Sequence, residues 1–205
     1  MVNIISCCRI HKNTLLKNGE LIWELAATPL DDFLLQLYEK LEINYPKFYK
    51  MDRLCKLGFL GSEVLLSDQK KSNPPESTSV ILSNHHASLD TDIRYWESTK
   101  KAASPSLFVY TLPNIVAGEI CIRNGFKGES NFFVTPEFDL EWMTDYVEQI
   151  LSSETMESCL AGWVDVLHDH AEVFLYLAGK SRSGMGVHSA ENIRTLYHGR
   201  TYTKP

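Results

Sequence analysis

One stretch of the sequence decides the fold. Residues Ser104–Val134 read SPSLFVYTLPNIVAGEICIRNGFKGESNFFV. Leu112 and Pro113 predict a turn that leads from a strand into a helix, and Asn114 is of a residue type that caps helix N-termini. At the end of the stretch, Phe132–Val134 is a short apolar run typical of a buried strand. The stretch therefore predicts a helix followed by a strand that enters a sheet.

On both sides of this stretch, strand patterns alternate with helix patterns. Short apolar runs bounded by turn residues predict strands at Ile4–Cys7, Val80–Leu82, Trp163–Leu167 and Val173–Leu177. Apolar residues at helical spacing predict helices at Leu30–Leu41, Met51–Ser67 and Glu137–Ser152. Thr135 is the predicted N-cap of the last helix, with Pro136 in its first turn. Strands that alternate with helices predict an α/β layer fold.

Composition narrows the class of protein. The chain has 205 residues, of which 44% are hydrophobic and 22% charged, as expected for one globular domain. Its formal net charge of -6 argues against a nucleic-acid partner, because phosphate backbones attract cationic surfaces. The sequence holds no apolar run of about 18–20 residues, so we expect no membrane span.

The cysteines and the chain ends complete the domain prediction. Five cysteines at irregular spacing predict free thiols in a reducing cytoplasm rather than disulfides or a zinc site. Residues 68–79 are predicted to form a polar surface loop. We expect a single domain over residues 1–179 and, over residues 180–205, a polar C-terminal tail with five basic residues and one acidic residue.

Two groups of histidines lie near acidic residues. They are His85 and His86 with Asp90 and Asp92, and His168 and His170 with Asp165 and Asp169. Neither group has a recognised metal-ligand spacing, so we predict no metal site. The simplest interpretation places these side chains at strand ends and in loops, facing water.

The stretch Ser104–Val134 resembles the N-terminal half of β-ketoacyl synthases, thiolase-fold condensing enzymes of fatty-acid and polyketide assembly. It is similar to a branch with the pattern SPxLFxYTLPN followed by GEIxIRxGxKGx, matched here by Ser104, Pro105, Leu107, Phe108, Tyr110, Thr111, Leu112, Pro113 and Asn114, then Gly118, Glu119, Ile120, Ile122, Arg123, Gly125, Lys127 and Gly128. Further matches are MDRLCKL at Met51–Leu57, SLDTD at Ser88–Asp92 and AGWVD at Ala161–Asp165. The resemblance spans about Ile43 to Leu177. It implies a thiolase-like α/β fold, the N-terminal half of a condensing enzyme, with a mixed sheet and packed helices.

The resemblance also implies that the family's catalytic groups are missing. The family's nucleophilic cysteine falls at Glu137 in this sequence. The two catalytic histidines of the family lie in a C-terminal half without a counterpart here, so we expect a truncated homologue. A carboxylate cannot form the thioester intermediate of condensation, which leaves open whether the chain is an enzyme.

Glu137 and six further residues carry the site prediction. Glu137 has two interpretations: a carboxylate that stabilises the first turn of a helix, or a residue that mimics a bound carboxylate or holds a pocket open. In the family, the segment around Tyr110 borders the acyl pocket and the dimer contact. The implied substrate-binding residues are Tyr110, Thr111, Pro113, Asn114, Phe133 and Thr135. Residues Tyr110–Asn114 also have a purely structural interpretation, as a turn before a helix.

Two functions follow from the resemblance. The first is a non-condensing binding, assembly or chain-length-factor-like partner in fatty-acid, polyketide or aryl-polyene biosynthesis, forming a homo- or heterodimer with a full-length synthase. The alternative is an acyltransferase or decarboxylase acting on carrier-protein thioesters, with the family's histidines supplied by a partner chain or replaced by His85, His86 or His168. A folded chain without a selected role is a third possibility.

We expect no cofactor except phosphopantetheine on a partner acyl carrier protein. Arg53, Arg123 and Lys127 either meet that carrier or are simply solvated.

Overall fold

The computed structural model describes residues 1–69, 75–180 and 184–199, and eight strands among them form one mixed sheet. The strands are β1 Asn3–His11, β2 Thr14–Lys17, β3 Glu20–Glu24, β4 Thr78–Asn84, β5 Ser130–Val134, β6 Ser158–Leu167, β7 His170–Gly179 and β8 Gly186–Val187. The α-helices are α1 Leu30–Lys40, α2 Arg53–Leu66, α3 Leu89–Thr99, α4 Pro105–Val109, α5 Ile115–Asn124, α6 Leu140–Ser152 and α7 Ala190–Tyr197.

The sheet order is β3-β2-β1-β7-β6-β4-β5, with β8 beside β1. Strand β4 runs parallel to β5 and to β6, whereas β7 runs antiparallel to both of its neighbours, β6 and β1. The carboxyl ends of β4, β5 and β6 therefore meet at one edge of the sheet, where α/β proteins place their ligands. Each predicted strand is present, and the prediction of an α/β fold with a mixed sheet is confirmed.

Helices cover both faces of the sheet. Helices α1, α2 and α5 pack on one face and α6 and α7 on the other, each over its own apolar core. Helix α2 packs closely against α5 and the sheet because its glycines leave room. A Cβ on Gly58 would stand 2.4 Å from a methyl of Val116 on α5, and one on Gly61 would stand 2.9 Å from a methyl of Val173 on β7. The helix predicted at Met51–Ser67 is present as α2, Arg53–Leu66.

The start of α6 differs from the prediction. The helix begins at Leu140, and its N-cap is Asp139, whose carboxylate accepts a hydrogen bond from the Trp142 amide at 3.0 Å. The Thr135 hydroxyl instead donates to the Glu137 carbonyl at 2.8 Å, within the connection that precedes the helix. Glu137 is therefore in a loop and not in the first turn of a helix.

The turn at 110–114 also differs from the prediction. Helix α4 precedes it, so it joins two helices rather than a strand and a helix. Helix α5 does follow directly, but the Asn114 side chain makes no capping hydrogen bond.

The predicted tail contains folded structure. Residues Asn3 and Ile4 of β1 pair with β8, and α7 buries Ile193 and Leu196 against the sheet. Residues 184–199 thus add a short strand to the sheet and a helix to the layer that covers one face of it. Residues 181–183 and 200–205 of the tail, and 70–74 of the predicted loop, lie outside the described residues.

The five cysteines are free thiols, and four of them are buried. Burial raises the pKa of Cys7 to about 11, so this thiol stays protonated at neutral pH. In the part of the chain that the structure describes, no helix is both long and apolar enough to cross a bilayer.

Candidate functional site

A tight loop follows β4 at the carboxyl edge of the sheet. The Asn84 side chain clamps this loop at both ends, since its amide donates to the Ala87 carbonyl at 2.8 Å and its oxygen accepts from the Ala87 amide at 2.9 Å. Ala87 has a φ of 49°, in the left-handed region that residues other than glycine seldom adopt. The loop therefore presents His85 and His86 in a defined position.

A buried carboxylate on β6 holds these histidines. The Asp165 side chain is 2% exposed, and its Oδ1 accepts the backbone amides of His85 at 3.1 Å and of His86 at 3.0 Å. Its Oδ2 lies 2.7 Å from Nδ1 of the His86 ring. An ionised carboxylate can only accept hydrogen bonds, so Nδ1 of His86 carries a proton. In the neutral ring, Nε2 is then left with a free lone pair.

Two further imidazoles flank His86. The rings of His85 and His86 meet edge to face, with centroids 4.5 Å apart. Nε2 of His170, the first residue of β7, lies 3.9 Å from Asp165 Oδ2. Three histidines thus surround one buried carboxylate. Across the ranges that the structure describes, no group of three or more histidine, cysteine, aspartate or glutamate side chains is arranged to hold a metal ion.

Asp165 begins a row of titratable side chains on three neighbouring strands of the sheet. Asp165 of β6 pairs with Glu172 of β7, which pairs with His11 of β1. The Glu172 carboxylate lies 3.7 Å from His11 Nδ1 and accepts a hydrogen bond from the Tyr197 hydroxyl at 3.1 Å. Desolvation lowers the pKa of His11, against the opposing charge of Glu172.

A groove of about 630 Å³ opens beside this row, between the β1–β2 turn, the β6–β7 turn and the start of α1. Ile10, Leu30 and Phe33 supply part of its apolar wall, and His11 and His170 lie at its polar side. Its volume falls within the range of about 300–1,000 Å³ typical of small-molecule sites.

The predicted site residues flank the β4–α3 loop from two sides. On one side, the Ser88 hydroxyl donates to the Thr111 carbonyl at 2.8 Å, and on the other the Thr135 amide donates to the Asn84 carbonyl at 2.9 Å. The Thr111 hydroxyl is engaged within its own turn, where it donates to the Phe108 carbonyl at 2.7 Å.

The other predicted residues differ in exposure. Tyr110 is buried, and desolvation raises the pKa of its phenol. Phe133 is half-buried, with its ring centroid 4.7 Å from that of Trp142. Pro113 is half-buried, whereas Asn114 and Glu137 are exposed.

An apolar surface lies next to this loop. Six large side chains on α3, on α4 and in the turn after α4 are exposed by between 38% and 67%: Leu89, Ile93, Trp96, Phe108, Val109 and Leu112. The two helices are neighbours, since the rings of Tyr95 and Phe108 have centroids 5.5 Å apart. We call these six side chains the α3–α4 surface.

The three cations considered for carrier binding pair with carboxylates of the same chain. Arg53 forms two hydrogen bonds with Asp31, at 2.9 and 2.7 Å. Arg123 forms two with Glu63, at 2.9 and 2.8 Å, and Lys127 pairs with Glu76 at 2.8 Å. These partners favour a role in packing surface elements together.

The interpretation of the histidine groups as water-facing strand ends holds for His85, His168 and His170, which are exposed, but it is wrong for two of the carboxylates. Asp165 and Asp90 are both buried, and Asp90 accepts the His168 amide at 2.9 Å. The parallel register of β4 and β6 pairs Ser83 with Trp163, which places the next outward positions, 85 and 165, opposite each other. The signal in the sequence was therefore a histidine and an aspartate at matching positions of two strands whose pairing the sequence does not show.

No family model matches the chain, and no curated protein matches its sequence. Solved structures do match its fold. The ishigamide ketosynthase/chain length factor matches with a TM-score of 0.64 and 14% identity, over 90% of this chain and 63% of that chain. The AntDE:AntF complex of a type II PKS acyl-carrier protein with its ketosynthase matches with a TM-score of 0.59 and 14% identity, over 87% and 62%.

A third structure matches over nearly its whole length. The complex of the ketosynthase ApeO with its chain length factor ApeC from Xenorhabdus doucetiae matches with a TM-score of 0.61 and 9% identity, over 98% of this chain and 91% of that chain. The chain thus spans just over three fifths of the first two chains that it matches, at 63% and 62%. The fold of this chain is ketosynthase-like and of the thiolase type.

Proposed function

We propose that the chain is a chain-length-factor-like partner of a full-length ketosynthase and does not itself condense acyl units. The observation that carries this proposal is the α3–α4 surface. Soluble monomers rarely expose contiguous apolar patches larger than a few hundred Å², and larger ones mark interaction sites. Trp96 and Phe108, exposed by 67% and 60%, are the kind of aromatic anchors that dominate protein interfaces.

Strand β5 offers a second surface for a partner. It ends the sheet order, so one side of its backbone has no neighbouring strand among the described residues, and Val134 is 55% exposed. Edge strands of this kind pair readily with strands of other chains. A homodimer or a heterodimer with a synthase would cover this edge.

Two side chains of this chain argue against a condensation activity. Glu137 stands in an exposed loop and supplies a carboxylate where the resemblance places the nucleophilic thiol. Cys121 is half-buried, and desolvation raises the pKa of its thiol, which disfavours the nucleophilic thiolate. The acyl chain would then be carried by the phosphopantetheine of a carrier protein and extended by the partner, with Thr111, Phe133 and Thr135 bordering it.

Native mass spectrometry tests this proposal. The purified chain is mixed with the ketosynthase of a ketosynthase/chain length factor complex and with malonyl-loaded carrier protein. We expect a dimer or a complex with the synthase, and we expect Trp96→Ser with Phe108→Ser to weaken it at least about tenfold. Leu21→Ser, at an exposed position on the opposite edge strand, is the control. A chain that stays monomeric and binds neither protein contradicts the proposal.

One observation favours the alternative of a thioester-acting acyltransferase or decarboxylase. Asp165 holds His86 in the loop that follows Asn84, and the Asn84 carbonyl accepts a hydrogen bond from the Thr135 amide. An imidazole therefore lies beside the segment that leads to Glu137. The mass of the carrier's cargo distinguishes the two functions. Loss of carbon dioxide that disappears in both Glu137→Ala and His86→Asn supports the alternative, and a cargo that is not decarboxylated supports the non-condensing partner.

A further inference from the structure

We propose that the Asp165–His86 pair is a general base that hydrolyses acyl esters and thioesters. This activity is separate from the partner function above and requires only the chain itself. It assigns a role to a buried carboxylate and an imidazole that the proposed partner function does not use.

The geometry of the pair is that of an oriented base. Asp165 accepts the Nδ1 proton of His86 at 2.7 Å, which selects the tautomer with a free Nε2 lone pair and stabilises the imidazolium that forms when Nε2 takes a proton. Two backbone amides hold Oδ1 of the same carboxylate, so Asp165 cannot turn away from the ring. The Asn84 clamp fixes the loop that carries His86. The His86 side chain is 25% exposed, which leaves part of it open to water.

The nucleophile is water. In the ranges that the structure describes, the hydrogen bond of the His86 ring is made to Asp165, and no serine, threonine or cysteine side chain bonds to Nε2. His86 Nε2 removes a proton from a water molecule while the water oxygen forms a bond to the acyl carbon. The tetrahedral intermediate then releases its thiol or alcohol, as the bond from the acyl carbon to sulfur or oxygen breaks and the leaving atom takes the proton from Nε2. Ester or thioester plus water gives a carboxylic acid plus an alcohol or thiol, with no other reactant.

The groove beside the pair defines the substrate class. His170 lies at the groove and is 3.9 Å from the carboxylate that holds His86, so the groove approaches the base from the β7 side. An acyl chain against Ile10, Leu30 and Phe33 would have its carbonyl at the His170 end of the groove, on the side toward the Asp165–His86 pair. The exposed His85 ring, edge to face with His86, is positioned to donate a hydrogen bond to the carbonyl oxygen. The substrate is therefore an acyl ester or thioester with an apolar chain.

Hydrolysis of three probes tests this assignment. They are p-nitrophenyl octanoate, the octanoyl thioester of N-acetylcysteamine and octanoyl-loaded acyl carrier protein. The small thioester and the carrier-bound one distinguish a free from a protein-bound substrate. We expect hydrolysis above that by an equal concentration of free imidazole. We expect His86→Asn, whose amide still donates to Asp165 but lacks the base, to lower the rate about 100-fold or more.

Matched variants keep the test decisive. His198→Gln, at an exposed histidine at the end of α7, should leave the rate unchanged. Added imidazole should restore part of the activity of His86→Ala, which a merely structural histidine would not allow. Ala27→Trp, at the groove, should slow octanoyl hydrolysis more than acetyl hydrolysis. A wild-type rate no greater than that of free imidazole overturns the proposal, as does a folded His86→Asn variant with the wild-type rate. Neither result bears on binding to a ketosynthase.

Discussion

Asp165 and His86 form a hydrogen bond of 2.7 Å between the carboxylate of one parallel strand and the ring of the loop that follows its neighbour. The same carboxylate receives the amides of His85 and His86. Asp165 thus ties the end of β4 to β6 at the edge of the sheet where the predicted site residues converge.

Asp165→Ala should lower the free energy of unfolding by about 1–3 kcal/mol, because two backbone amides and a ring N–H would lose their acceptor. Urea unfolding followed by circular dichroism measures the change. Asp145→Ala, at an exposed position on α6, is the control and should stay within about 0.5 kcal/mol. Equal effects of the two variants would contradict a structural role for Asp165.

Gly58→Ala should destabilise the protein by about 1–3 kcal/mol, because its Cβ would lie 2.4 Å from a methyl of Val116. Gly118→Ala is the matched change on α5, where a Cβ has no atom within 4 Å, and should be neutral or stabilising by up to about 1 kcal/mol. The two variants are compared by their urea midpoints. A tolerated Gly58→Ala would show that α2 can move away from α5.

Asp139→Ala should cost about 1 kcal/mol of stability, since the first turn of α6 would lose the acceptor for the Trp142 amide. Thr135→Ala should cost less, because the Thr135 hydroxyl bonds within the preceding loop. Thermal unfolding of both variants measures the difference. The reverse order would place the cap at Thr135, as the sequence alone suggested.

Stability should fall as the pH drops below the ordinary histidine pKa of about 6.5. Desolvation lowers the pKa of His188, whose side chain is fully buried, against a smaller opposing effect of Glu148. The unfolded chain therefore binds the proton more readily, so acidification favours unfolding. His11, whose pKa is also lowered, acts in the same direction.

Urea midpoints at about pH 7.5 and about pH 5.5 measure the slope of unfolding free energy against pH. His188→Gln should reduce it, and a further His11→Gln change should reduce it again. An unchanged slope in the double variant would assign the acid sensitivity to other groups.

Local patterns predicted most of the elements. Apolar spacing placed α1 at Leu30–Leu41, one residue longer than the helix observed, and each predicted strand is present at greater length. The β2–β3 hairpin was not predicted, because Leu21 and Ile22 are exposed and the segment lacks the pattern of a buried strand. Helix α7 was missed because its two buried residues, Ile193 and Leu196, stand in a basic segment that looked solvated.

Local sequence patterns did not predict the correct start of α6, because two nearby residues could each cap the helix. Thr135 and Asp139 are both good N-caps, and the choice between them depends on Phe138. Phe138 is buried against Phe174 and Tyr197, which draws the preceding loop onto the sheet and delays the helix to Leu140. That contact joins residues distant in sequence, so no local pattern contains it.

The sequence by itself determined the α/β class, the order of its predicted strands and helices, and the motif that resembles condensing enzymes, because each depends on neighbouring residues. Only the tertiary structure decided that Glu137 stands in a loop, that Tyr110 is buried, and that Asp165 holds His86. The last pair is separated by 79 positions, and the parallel pairing of β4 with β6 brings it together. Burial then makes the hydrogen bonds of Asp165 necessary, since a buried carboxylate without donors would cost more free energy than the fold could offset.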